Sequence, residues 1–157
     1  MPAVQEFKKL LSRLQFLHVA TSSKEGQPNA APKLILKIDD ETIYLVDCTI
    51  GKTWENLKKN PKVSLSFVDE ESLKGYQING EATVLEGREI TSELRAILEE
   101  KEVALTVKRI VSGIHERKKH EDFEMGMSDK FVIFKINLVE VVEIGYKGNL
   151  TRQKLRK

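Results

Sequence analysis

The sequence has little of what staples a chain or carries it across a bilayer. One cysteine, Cys48, stands among 157 residues, so no internal disulfide can form and a reducing compartment fits. No apolar run approaches the roughly 20 residues of a transmembrane helix. The N-terminal stretch is amphipathic, with Glu6, Lys8 and Lys9, and lacks the hydrophobic core of a secretion signal. Together these features lead us to expect a cytoplasmic protein without membrane contact. Histidines are few: His18, His115 and His120 lack ligand spacings such as H-E-x-x-H, and no metal site is expected. Net charge is also small, at +2, and unevenly placed. The last eleven residues carry five basic groups and no acid, leaving 21 basic against 24 acidic groups elsewhere, a balance of −3. A body of that charge is not a nucleic-acid footprint, and the basic end, residues 147–157, reads as a frayed, solvated tail.

What is present is the make-up of one folded domain. An apolar share of 40% beside 32% charged residues places the chain with globular proteins rather than disordered ones, and its length suits a single core. Val4, Phe7, Leu10, Leu11 and Leu14 recur at helical spacing, predicting a helix over residues 3–14. Four strand-like stretches follow: "FLHVATSS", "NAAPKLILKI", "TIYLVD" and, after a short helix ended by Asn60-Pro61, "KVSLSFVD". "YQINGEATVLE" is a fifth strand and "KFVIFKINLVEVVEIG" a closing strand or strand pair. Residues 90–122 are helical in pattern and read as two helices. Val103, Val107, Ile110, Val111 and Ile114 form the apolar stripe of the second. "HEDFEMGMSD" reads as a loop, and His115 and His120 as part of a solvated charged face. Strands in hairpin order with flanking helices predict an α+β, mainly β, fold built on a small antiparallel barrel. On the fifth strand, Tyr76, Ile78, Gly80, Ala82 and Val84 share the face expected inside, while Gln77, Asn79, Glu81 and Thr83 share the outer one.

One short stretch invites a chemical reading. "DCTIGKTWENLKKNP", residues 47–61, holds Gly51-Lys52-Thr53, the residue types that close a nucleotide-hydrolase phosphate loop. The spacing excludes that motif, because its first glycine would fall at position 46, which is Val46. A lysine, a hydroxyl and a glycine before a helix still make good ligands for a single phosphate. An ordinary solvated turn before a short surface helix has the same composition, and the fragment alone favours that plainer reading, since short G-K-T matches are common by chance. Trp54 is expected to pack the short helix on the barrel, and Cys48 to serve as a small buried hydrophobe.

Four elements in order decide further: "HVATSSKEGQPNAAPK", "IYLVDCTIGKTWENLKKNPKVSLSF", "GYQINGEA" and the closing hydrophobic strand. Together they resemble the pyridoxamine 5'-phosphate oxidase-like family of FMN-binding split barrels, over residues 12–87 most closely. The resemblance implies a six-stranded antiparallel split barrel spanning residues 1–146, and a homodimer with FMN in the groove between subunits. It places the FMN phosphate at Ile50, Gly51, Lys52 and Thr53, with Thr49 adding a hydroxyl. Ala31, Pro32 and Lys33 match the strand along the flavin ring, Asp47 and Cys48 lie near that ring, and Gln77 matches a glutamine that reaches the neighbouring subunit's FMN. Lys33 is the candidate cationic donor to the ring; no side chain stands out as acid or base. One departure matters. The namesake oxidases carry a C-terminal segment rich in Arg, Trp and His, whereas this chain ends "EVVEIGYKGNLTRQKLRK". That argues against oxidation of pyridoxamine phosphate.

Three functions follow from the resemblance. The first is an FMN-dependent oxidoreductase passing hydride between NADH, NADPH or oxygen and a small organic substrate. The second is a flavin-binding or electron-transfer protein without turnover. The third is a flavin-free barrel serving as an interaction module or as a nucleic-acid binder through its basic tail. Haem-binding relatives keep haem open as a ligand, although no residue here argues for it.

Overall fold

Alternation of buried and exposed side chains runs through the strands, and the sheet closes on the buried set. The computed structural model describes residues 2–115 and 130–155. Its elements are α1 (Pro2–Leu11), β1 (Phe16–Ser22), β2 (Pro28–Ile38), β3 (Thr42–Asp47), α2 (Lys52–Lys59), β4 (Lys62–Asp69), β5 (Lys74–Leu85), α3 (Ser92–His115), β6 (Val132–Ile144) and β7 (Leu150–Lys154). The strand order is β3-β2-β1-β4-β5-β6, every neighbour antiparallel, and β3 also pairs with β6. Six strands therefore close into a barrel, which is the mainly-β architecture expected from the hairpin order.

The interior follows the period of two. Leu17 and Val19 of β1, Val63, Leu65 and Phe67 of β4, and Tyr76, Ile78 and Ala82 of β5 are buried in one cluster. Phe7 and Leu11 of α1 join the same cluster. Tyr76 stacks on Phe67 with ring centroids 4.9 Å apart. Closure over β5 and β6 depends on Gly80. A Cβ there would lie 2.6 Å from the Asn137 carbonyl oxygen, beside the bulge where Asn79 faces Glu140 and Gly80 faces Leu138.

The apolar run in β2 has a separate cause. Leu34 and Leu36 face away from the barrel interior, where they cluster with Val46, Ile133, Ile90, Leu94 and Leu98. The first half of α3 thus covers the outer face of β2, β3 and β6, and β2 is buried on both sides. The late helical region differs from expectation. One continuous helix of 24 residues replaces two. Its predicted stripe stands in solvent, with Val103, Val107, Ile110, Val111 and Ile114 all exposed. Residues 120–129, expected as a loop, and the last part of the expected helical stretch lie outside the described residues. At the other end, where a frayed tail was expected, Leu150–Lys154 form β7 and pair with β6 from Glu140 to Ile144.

Candidate functional site

β3 ends at Asp47, and the chain turns through residues 48–51 into α2. Asp47 builds that turn. Its Oδ1 accepts from the Thr49 backbone N–H at 3.1 Å and from the Thr49 hydroxyl at 2.6 Å. The next residue, Ile50, has φ of +45°, a left-handed conformation that a β-branched side chain adopts only under constraint. The constraint comes partly from β2. Leu34 pairs with Val46 across the hairpin, so Lys33 comes level with Asp47, and its Nζ lies 2.8 Å from Asp47 Oδ1. Both side chains are buried, 8% and 2% exposed. Lys33 also reaches the Thr49 hydroxyl at 3.4 Å.

A buried pair of this kind is costly to break, because either partner alone is a desolvated charge. Burial pushes the Asp47 carboxyl up, but the hydrogen bonds from Lys33 and Thr49 outweigh it and hold the group below the usual carboxylate range. Asp47 Oδ2 is buried and, among the described residues, has no hydrogen-bond partner. The neighbouring Cys48 thiol is pushed up by burial and then by the Asp47 charge, which keeps it protonated and a weak nucleophile.

The start of α2 is open. Gly51 occupies the N-cap position with no side-chain cap bond, and a Cβ built on it meets nothing within 4 Å. The first backbone N–H groups of a helix have no partner within it. Lys52 is exposed and paired with Glu55 at 2.8 Å. Thr53 is buried, and its hydroxyl accepts from Asn29 at 3.1 Å. Asn56 in turn donates to Thr21 at 3.1 Å, and Asn29 lies 3.4 Å from the same Thr21 hydroxyl. Thr21, Asn29, Thr53 and Asn56 thus pin α2 to β1 and β2. Sequence reasoning missed three of these four. The usable signals were Thr21 at an inward position of an alternating strand, and Asn56 one helical turn after Thr53. Trp54 packs against the core, as expected, and its Nε1 donates to Glu86, which Lys58 also meets at 2.9 Å.

Of the predicted site residues, Lys33, Asp47 and Thr49 are in direct contact, and Ile50, Gly51, Lys52 and Thr53 continue the same turn. Ala31 and Pro32 precede Lys33 on β2, opposite Val19 and His18 of β1. Gln77 is elsewhere. It lies on the outer face of β5, and β1 and β4 stand between β5 and β2. From the turn after β3 the shorter way round crosses only β6, but Asp47 faces Val132 and Gln77 faces Val142, ten residues and roughly 30 Å further along that strand. Near Gln77 the outer wall carries a groove of about 560 Å³ lined by Ala20, Ser22, Lys62, Ser64, Asn79 and Glu81 among others.

Comparison with known proteins agrees with the fold. A solved structure from Clostridium acetobutylicum is described as related to general stress protein 26 of B. subtilis and as of the pyridoxinephosphate oxidase family. It superimposes with a TM-score of 0.65 over 97% of this chain and 94% of its own, at 18% identity. The HupZ protein of Group A Streptococcus is 27% identical and matches over 92% of this chain and 96% of its own, with a TM-score of 0.59. At 12%, 17% and 16% identity, an FMN binding protein of Nostoc punctiforme, a heme binding protein of Mycobacterium smegmatis and an F420 reductase share the fold, with TM-scores of 0.56, 0.62 and 0.53. An uncharacterized protein of Methanocaldococcus jannaschii is 32% identical over 71 residues, which are 43% of this chain and 47% of that one. The match thus spans about half the length of that curated relative. The family model described as pyridoxamine 5'-phosphate oxidase matches residues 3–144, nearly the whole barrel, and the chain belongs to that family.

Proposed function

We propose that this protein binds FMN at the turn after β3 and acts as a flavin-dependent oxidoreductase on a small organic substrate, with a nicotinamide nucleotide or oxygen as redox partner. The observation that carries the reading is the turn itself. A buried Lys33–Asp47 pair ties down Thr49 beside the left-handed Ile50, and the turn leads into the start of a helix with a glycine and an exposed lysine. The residues fit the group. A phosphomonoester carries nearly two negative charges and wants a cation with several neutral donors. Lys52 and the backbone N–H groups after Gly51 supply them, while the Thr49 hydroxyl is spent on Asp47 and holds the turn. Asp47 does not repel the phosphate, because Lys33 neutralises it. The unpartnered Asp47 Oδ2 needs a donor, and FMN has N–H and O–H donors in its ring and ribityl chain. When bound, FMN supplies hydride chemistry at its ring. The protein's part is to bind, orient and exclude water. Gln77, too distant within one chain, completes the site from a second copy, so the working unit is a homodimer.

The locked Lys33–Asp47 pair also favours a second reading, a flavin-binding electron-transfer protein. Asp47, held below the usual carboxylate range by the hydrogen bonds from Lys33 and Thr49, is not a proton donor near neutral pH, so the described turn has no evident acid.

Purified protein is expected to be yellow and to release FMN on denaturation. Lys52→Ala should weaken FMN binding by about 1.5–3 kcal/mol, the scale of a hydrogen bond to a charged group. Unchanged affinity in a titration of that variant contradicts the phosphate assignment. Steady oxidation of NADH or NADPH with an acceptor favours the enzyme; bound flavin without turnover favours the second reading.

A further inference from the structure

The outer face of β5 holds a chain of side chains leading to the C-terminal strand. Gln77 Nε2 donates to Asn79 Oδ1 at 3.2 Å, and Asn79 Nδ2 donates to Glu140 Oε2 at 3.0 Å. Arg152 of β7 lies 3.2 Å from the same Glu140 oxygen. The strand registers impose the arrangement. Asn79 faces Glu140 across β5 and β6, while Gln77, Val142 and Arg152 share one row across three strands. Two residues along, the side chains return to the same face and meet diagonally.

The chemistry of this chain has a direction. Ionised Glu140 only accepts, and Arg152 only donates. Glu140 therefore forces Asn79 to turn its amide nitrogen toward it, which leaves the Asn79 oxygen facing Gln77. Gln77 must then give its nitrogen to Asn79 and keep its carbonyl oxygen for whatever lies beyond the face. A glutamine amide is otherwise free to flip, and here it is not.

We propose that Arg152, Glu140 and Asn79 are positioning residues that fix the Gln77 amide with its oxygen outward, so that the ligand group Gln77 recognises is a hydrogen-bond donor. For the identity of the ligand, the inference rests on the proposed flavin reading. The ring N–H and the ribityl hydroxyls of FMN share this donor chemistry. The basic C-terminal strand thereby acquires a role in ligand recognition.

The test is FMN titration of the intact protein, followed by fluorescence and the flavin absorption band. Glu140→Gln lets residue 140 donate as well as accept, and Arg152→Met removes its anchor. Each should weaken FMN binding about tenfold and shift the band, the loss of one well-placed hydrogen bond. Arg152→Lys should restore most of the affinity. Thermal midpoints should stay within about 3 °C, because Arg152 is largely exposed and such pairs add little stability. With 3-methyl-FMN, which lacks the ring N–H, the gap between wild type and variants closes if the ring is the target and persists if a ribityl hydroxyl is. FMN affinity and band position equal to wild type in Glu140→Gln and Arg152→Met overturn the proposal. If wild type itself binds no FMN, the flavin reading fails instead, and the relay is then read by NMR. Displaced Gln77 side-chain amide resonances in Arg152→Met support it; unmoved ones overturn it.

Discussion

Asp47 shows how one residue serves both stability and site geometry. Its carboxylate ties β3 to β2 through Lys33 and shapes the turn through Thr49. Asp47→Asn leaves the Lys33 ammonium buried without its counter-charge, and a loss of about 3–5 kcal/mol at neutral pH is expected. The pH dependence has a definite sign. The folded carboxyl lies below its unfolded value of about 4, so its stabilisation is present above that value and is lost as pH falls through the folded one. Urea unfolding between pH 3 and 7 should show the gap between wild type and variant narrowing only at the acid end; a constant gap contradicts this. Lys33 and Asp47 were each named as site candidates by the family resemblance. Their pairing was not, because it depends on a hairpin register that no local pattern states. Thr53 shows the limit differently. Its sequence position suited a phosphate, and its buried hydroxyl also accepts from Asn29, a partner 24 positions away that no local pattern indicates.

Among the elements, α3 departs furthest from its pattern. Its first half is anchored by Leu94 and Leu98, with Ile90 just before it, over the outside of β2, β3 and β6. Its second half keeps a Val and Ile stripe that periodicity assigns to a core, yet Val107 is 53% exposed. Periodicity reports that a helix is amphipathic; it does not report whether a neighbouring element is there to meet the apolar side. Leu98→Ala should cost about 2–5 kcal/mol, as for a packed leucine, whereas Val107→Lys should change stability by less than about 0.5 kcal/mol. Denaturant midpoints of the two variants check this, and a large loss in Val107→Lys would mean that the stripe is covered in solution. The strands were more legible than the helices, because alternation and turn residues are local signals. β7 was missed, since "LTRQK" alternates no apolar residues and pairs only because β6 offers an edge.

At the scale of the whole molecule, closure of the barrel sets where the site can be. Only β6 lies between β3 and β5 in the closed barrel, but Asp47 faces Val132 while Gln77 faces Val142, ten residues and roughly 30 Å further along β6, so one chain does not bring the turn after β3 and the Gln77 face of β5 together. The account therefore joins Lys52 of one copy to Gln77 of another through a shared FMN. Mixing variants tests that claim most directly. Lys52→Ala and Gln77→Ala proteins are each titrated with FMN, then combined, allowed to exchange subunits and titrated again. In a mixed dimer, one site would carry both substitutions and the other would carry neither. The account predicts weak binding for each variant alone and recovery of one tight FMN per mixed dimer. Mixed samples that bind no better than the separate variants would contradict a site shared between two copies.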